Sequence, residues 1–223
     1  SHELRTPLTT IKSYLEALDE GALEDQETAT RFVGVARQEA DRMTRLIQEL
    51  LQLSRLEANQ SRFFKKTIDP ESMLYDVARR FQFQGAQKNI AITAHISHTL
   101  PRVYVDQDKI EQVLDNLISN AIKYTSEGGA IALVARRRDD GMAEISVGDS
   151  GIGIPTQDLG RIFERFYRVD KARSRSLGGT GLGLSISQEI IQAHGGTIEI
   201  QSVYQKGTLV TFTLPPCEPE VIV

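Results

Sequence analysis

Two long segments at the start of the chain carry apolar residues that step by fours and threes. In the first, Leu4, Leu8, Ile11, Leu15 and Leu18 form a heptad seam. In the second, Ala36, Met43, Leu46, Leu50 and Leu53 keep the rhythm, and Ile47, Leu51 and Leu56 widen the stripe. This pattern admits few folds: two helices, each apolar on one side, folded back on each other at the break formed by Asp19, Glu20 and Gly21. Two helices cover each other poorly. The pattern therefore predicts an antiparallel hairpin over residues 1–60 that dimerises into a four-helix bundle; the competing solution is contact with the rest of the same chain. Pro7 falls inside the first helix, where it removes one backbone hydrogen bond and should bend it.

Beyond residue 60 the period changes. Residues 61–69 read as a linker and first short strand, with a hinge around 59–69. A second domain runs over 70–217 and a short tail over 218–223. Helices are predicted at 70–88, 106–124 and 182–194, the last ending at Gly195, a C-cap signal. Strands are predicted at 90–96 and 103–105. Two hairpins follow, AIALVARRR with MAEISVGD turning at Asp140 and Gly141, and TIEIQSV with TLVTFTL. Helices with mostly antiparallel strands make this an α+β domain, a sheet with helices on one face.

Composition narrows the function. A net charge of −4 argues against a nucleic-acid surface. The single cysteine, Cys217, cannot close an internal disulfide, which fits a reducing, cytoplasmic setting. No apolar run approaches the roughly 20 residues that span a bilayer, so no membrane contact is expected of this stretch, and no signal peptide is recognised. The abrupt start, without methionine, suggests a piece of something longer.

The chemistry-bearing residues begin on the helix at 106–124. Ile110, Val113, Leu114, Leu117 and Ala121 make its buried stripe; Asn116, Asn120, Lys123 and Tyr124 share another face. Asparagine is a poor helix-interior residue, so two of them one turn apart point to a site. An amide oxygen suits Mg²⁺ and a lysine suits phosphate; solvent-facing asparagines are the bland alternative. DSGIGIP at 149–155 places Asp149 at a strand end, able to accept from an exocyclic amine, with Gly151 and Gly153 permitting close backbone approach. GGTGLGLSI at 178–186 is a glycine-rich loop entering a helix, suited to anions and lacking the Lys-Ser/Thr of a Walker sequence. Between these loops Arg161, Arg165, Arg168, Lys171, Arg173 and Arg175 outweigh Glu164 and Asp170, a pattern for a mobile lid over phosphates, anchored by Phe163, Phe166 and Tyr167. The run Arg136 to Arg138 reads as a solvated hairpin end.

These motifs together resemble sensor histidine kinases. SHELRTPL resembles the H box, DNLISNAIKYT the N box, DSGIGIP the G1 box, RIFERFYRVD the F box and GGTGLGLSI the G2 box, with Gly207 and Thr208 where a G3 element sits. The order matches and the resemblance covers residues 1 to about 216. It implies a dimerisation and histidine-phosphotransfer hairpin followed by a Bergerat-type ATP-binding α/β sandwich, with ATP and Mg²⁺ as cofactors. His2 would be the phosphoacceptor and Glu3 its acid/base. Asn120 would hold Mg²⁺, with Asn116 and Lys123 near the phosphates and Tyr124 against the base. Asp149 would bind the adenine amine, and Arg168, with Arg165, would meet the γ-phosphate. Gly151, Gly153, Gly179, Thr180, Gly181, Leu182, Gly183 and Thr208 complete the nucleotide-binding set. Thr6, from the Glu3-x-x-Thr6 pattern, would position a water for dephosphorylating a response regulator. The implied partners are a second copy of the chain and a response-regulator receiver domain, and the parent protein would be membrane-anchored. The rivals are a Bergerat-type ATPase of another class, which would lack the H box and heptad hairpin, and a degenerate kinase serving as a dimeric scaffold.

Overall fold

The computed structural model describes residues 2–58, 60–170 and 179–217. Helix α1 (His2–Asp19) and helix α2 (Gln26–Glu57) are joined by a 3₁₀ turn at Ala22–Glu24. The reversal is set by Gly21, at φ 120°, and by Asp25, whose carboxylate accepts from the Glu27 N–H at 3.1 Å and starts α2. Pro7 lies inside α1 and is buried.

The second unit begins with β1 (Lys66–Ile68) and α3 (Pro70–Gln87), the latter opened by Asp69 as N-cap and Pro70 in the first turn. There follow β2 (Ala91–Ile96), β3 (Val103–Val105), α4 (Gln107–Tyr124), β4 (Ala130–Arg137) and β5 (Ala143–Asp149). The short α5 (Thr156–Leu159), which periodicity does not reveal, precedes α6 (Gly183–Ala193), β6 (Ile198–Val203) and β7 (Gly207–Leu214). The predicted α+β class holds, with the strands divided between two sheets. β1 pairs antiparallel with β3, and a five-stranded sheet runs β2-β4-β5-β7-β6, antiparallel except for β2 beside β4. Alternation along β5 buries Ala143, Ile145 and Val147 against the helices and leaves Glu144 and Ser146 on the open face. Arg136 pairs with Glu144 on that face, as a solvated hairpin end should.

Helices α3, α4 and α6 cover one face of the large sheet, with Leu114, Leu117, Ile190 and Phe212 in the core. All five residues expected in the buried stripe of α4 are buried, joined by Ile118. The heptad stripes of α1 and α2 have two fates. Leu46, Leu53 and Leu56 enter the core of the α+β unit, where α2 packs on α6, so contact within the chain accounts for them. Leu8, Leu15, Ile47 and Leu51 stay exposed.

The linker is stitched to the α+β unit well before β1. Phe64 N donates to Asp106 Oδ2 at 2.8 Å, and Lys65 Nζ donates to the Ala193 carbonyl, also at 2.8 Å. Phe63 meets the His194 ring edge-on at 4.9 Å between centroids. His194 is buried; its Nε2 accepts from the Asp106 N–H at 3.1 Å, and burial holds its pKa below the usual 6.5.

Candidate functional site

Helix α4 is one wall of the site. Its apolar stripe faces the core, which turns Asn116, Asn120, Lys123 and Tyr124 to the other side, each half-buried. The asparagines are linked: Asn116 Nδ2 donates to Ser187 Oγ at 2.9 Å, and Asn120 Nδ2 donates to Asn116 Oδ1 at 3.4 Å. The Lys123 ammonium lies 5.2 Å from the Tyr124 ring centroid. Lys88 holds the end of this helix, donating Nζ to the carbonyls of Ile122, Lys123 and Thr125 at 2.7, 3.5 and 3.2 Å. A cation at a helix C-terminus satisfies carbonyls that have no helical partner.

Asp149 ends β5 and stands opposite Thr208 of β7. Its Oδ1 accepts from the Gly151 N–H at 2.8 Å. Burial raises its carboxyl above the ordinary range, opposed by the backbone N–H groups of Gly151 and Thr208. A desolvated carboxylate of this kind gains most from an amine donor brought by a ligand. Gly151 is required by closeness: a Cβ there would stand 2.5 Å from the Tyr124 carbonyl, which also receives the Ile152 N–H at 3.1 Å. Gly153 lies in the same loop against the Val203 carbonyl. The end of α4, the loop after β5 and the β6–β7 turn thus meet around Asp149. A groove of about 460 Å³ on the open side of the sheet shares Asp149, Ser150, Gly207 and Thr208 with this site but includes neither asparagine.

The glycine-rich loop forms the other wall. The Gly181 carbonyl accepts from Phe166 N at 2.9 Å, and the Thr180 carbonyl accepts from Arg168 at 2.8 Å. Phe163 and Phe166 pack on the core, and Tyr167 donates its hydroxyl to Asp158. Leu182 is fully buried just before α6, and Gly179 enters the same loop half-buried. Gly183, the first residue of α6, lies directly against the Asn116 amide. Lys171, Arg173 and Arg175 of the expected lid lie outside the described residues.

The hairpin closes the site from a third side. The Arg168 guanidinium, 5% exposed, pairs with Glu3 at 3.4 Å, so the expected acid/base and the expected phosphate ligand face each other. The His2 backbone opens α1, but its side chain lies outside what the structure describes. Thr6 follows one turn on, half-buried. Arg165, expected near the γ-phosphate, is instead engaged by Glu57 at the end of α2. Glu49 of α2 is half-buried; burial raises its carboxyl, and Thr180 opposes this with a hydrogen bond. The amides of Gln52 and Gln112 exchange hydrogen bonds at 2.9 and 3.0 Å, joining α2 to α4.

The structure therefore gathers three groups: Asn116 with Asn120, Asp149 with Gly151, Gly153 and Thr208, and Arg168 with Thr180 and Glu3. Ser187, Lys88, Glu49 and the two glutamines are additions that sequence reading missed. Each sits among helix residues of ordinary solvated or core texture, with no local signal. Among the described residues no group of three His, Cys, Asp or Glu side chains could hold a metal. The hard donors present are neutral amides, which suit Mg²⁺ held mainly by waters and ligand phosphates. No described helix is long and apolar enough to cross a membrane.

Two family models match. Residues 1–59 match the His Kinase A (phospho-acceptor) domain, and residues 105–218 match the histidine kinase-, DNA gyrase B- and HSP90-like ATPase. The sensor histidine kinase WalK of Bacillus subtilis is 49% identical over 216 residues, 96% of this chain and 35% of that protein. The chain thus spans 35% of the length of that curated relative. Among solved structures, the Acinetobacter baumannii histidine kinase AdeS superposes with a TM-score of 0.75 at 26% identity, covering 98% of this chain and 99% of that one. Histidine kinase ThkA, in complex with the response regulator protein TrrA, superposes with a TM-score of 0.76 at 26% identity, covering 97% of this chain and 59% of that one.

Proposed function

This chain belongs to the sensor histidine kinase family, and we propose that it is an ATP-dependent protein-histidine kinase core that phosphorylates His2 and passes the phosphoryl group to an aspartate of a response-regulator receiver domain. The observation that carries the reading is the Arg168–Glu3 pair. It brings the first turn of α1, which bears His2, against the arginine that also holds the Thr180 carbonyl of the glycine-rich loop.

The chemistry follows from the residues. A neutral imidazole is the nucleophile, and an ordinary pKa near 6.5 leaves histidine mostly neutral at pH 7. The imidazole nitrogen bonds to the γ-phosphorus as the bond from that phosphorus to the ADP oxygen breaks. Glu3 accepts the proton from the other ring nitrogen and orients the ring, as a carboxylate does in a triad. Arg168 offsets charge on the transferring group, Asp149 and Thr208 hold the adenine end, and Lys123 faces the phosphates. Asn120 Oδ1 is the donor for Mg²⁺, which supplies charge neutralisation on the phosphates when bound. Thr6 orients a water for removing phosphate from the regulator, making the chain bifunctional.

The described pose is not that of transfer. Glu3 is held by the cation that the γ-phosphate would need, so this pair must open for transfer. Because Phe63 to Lys65 are fixed to the α+β unit, the swing between poses must arise upstream of Phe63. The exposed stripe of Leu8, Leu15, Ile47 and Leu51 supports a homodimer built as a four-helix bundle. The parent protein is membrane-anchored, with this part in the cytoplasm.

Incubation with γ-labelled ATP tests the reading. Wild type should take up acid-labile covalent label and His2→Gln none, and the label should move to a receiver domain. Equal labelling of wild type and His2→Gln would refute it. A Thr6→Ala chain should label normally and lose most of its ability to dephosphorylate the receiver.

A further inference from the structure

We propose that Ser187 is a positioning residue for the metal-binding amide of Asn120, acting through Asn116. The inference rests on the nucleotide-binding reading above and names a determinant within it. An asparagine side chain has two ends of nearly equal shape, one a donor and one an acceptor, and only the acceptor can hold a cation. On a helix face by itself Asn120 could present either end.

Here the amide is braced from one helix away. Ser187 lies on the inner side of α6 and is 1% exposed, among Ile186, Ile190 and Ile191. Asn116 donates Nδ2 to its hydroxyl oxygen at 2.9 Å, with Asn116 Oδ1 directed along α4; Ser187 thereby anchors the Asn116 amide in place. That oxygen takes Nδ2 of Asn120 at 3.4 Å. The end of Asn120 left to face a ligand is then Oδ1, the hard neutral donor.

Gly183 holds the middle amide from a second side. A Cβ at position 183 would stand 2.2 Å from Asn116 Oδ1 and 3.1 Å from its Nδ2. The Asn116 amide thus fills the space a side chain at 183 would need, between the first turn of α6 and the Ser187 hydroxyl one turn on. Loss of that hydroxyl leaves Asn116 Nδ2 without the partner it has here, in a half-buried place where an unmade hydrogen bond is costly. Outer residues that orient a metal ligand typically govern metal affinity by about 10–100-fold. Asn116 therefore acts on the cation through Asn120, as a second positioning residue.

The test is the affinity of the whole chain for a non-hydrolysable ATP analogue, measured by calorimetry in saturating Mg²⁺ and again in EDTA. Ser187→Ala should weaken binding about 10-fold in Mg²⁺ and leave the EDTA affinity within about two-fold, which also reports an intact pocket. In an Asn120→Ala background the same change should cost nothing further. Unchanged affinity in Mg²⁺, an equal loss in both conditions, or a full additional loss in the Asn120→Ala background overturns the inference. If the wild type itself gains nothing from Mg²⁺, the metal role of Asn120 fails and this inference with it. If wild type gains and Ser187→Ala gains equally, this inference alone fails.

Discussion

In the α1–α2 hairpin Leu8, Leu15, Val33, Ile47 and Leu51 are 41% to 54% exposed, whereas in the α+β unit Leu74, Ile110, Leu114, Ile190 and Phe212 are wholly sealed. Both regions are built from the same aliphatic residues on the same amphipathic periods. The sheet closes its core with three helices from its own chain. The hairpin has only α1, α2 and the edge of the α+β unit, and that edge buries Leu46, Leu53 and Leu56 and partly covers Leu4 and Leu50. One region is therefore complete in a single chain and the other is not. The incomplete one carries His2 on its first turn, so its packing can change without unfolding the candidate site in the α+β unit.

This contrast can be broken from either side. The largest effect is expected for Phe212→Ala, which empties the sealed core and should cost about 3–5 kcal/mol; urea unfolding followed on the α+β unit checks it, and the loss should not depend on chain concentration. Next comes Leu8→Glu with Leu15→Glu. This pair should weaken self-association by at least about 100-fold, equivalent to about 2.7 kcal/mol, while the thermal midpoint of the α+β unit stays in place; sedimentation equilibrium and calorimetry read the two quantities. If the midpoint falls with association, the two regions are one cooperative body.

A smaller effect is expected at the seam between them. Arg165 and Glu57 are 52% and 31% exposed, so Glu57→Ala should cost no more than about 1 kcal/mol, and less at high salt. Smallest is a pH effect in the α+β unit. The folded pKa of His194 lies below 6.5, so the unfolded chain binds the extra proton first as pH falls. Stability should be full above pH 6.5 and decline as pH drops through it. A His194→Gln chain should lose that part of the slope in urea titrations at pH 7 and pH 5.5.

Periodicity made most of this fold legible. The heptad stripe, the two β-hairpins and the α4 helix follow from spacing, because each depends on neighbours in sequence. The polar face of α4 was legible for a different reason: Asn116 and Asn120 are poor choices for a helix, and a residue that does not serve its own element signals another purpose. What escaped is whatever depends on meeting a distant element. Gln52 and Gln112 read as solvated helix positions until α2 and α4 come together. Ser187 reads as a small residue in an apolar helix, and α5 is a single turn with no period to detect. Arg165 had a motif position but not a partner, and Glu57 supplied one.

The attachment of Phe64 has a mechanical side. Its N–H hangs on Asp106, the same carboxylate that accepts the Lys109 N–H at 3.2 Å and so begins the helix bearing both asparagines. A tug delivered down the backbone from the hairpin would arrive at Phe63 against the His194 ring and then, through Phe64, at the root of that helix. The chain has in this way a tow-line from the hairpin that bears His2 to the face of α4 that bears Asn116 and Asn120, and lengthening it by a few residues upstream of Phe63 should slacken the pull while leaving both ends intact.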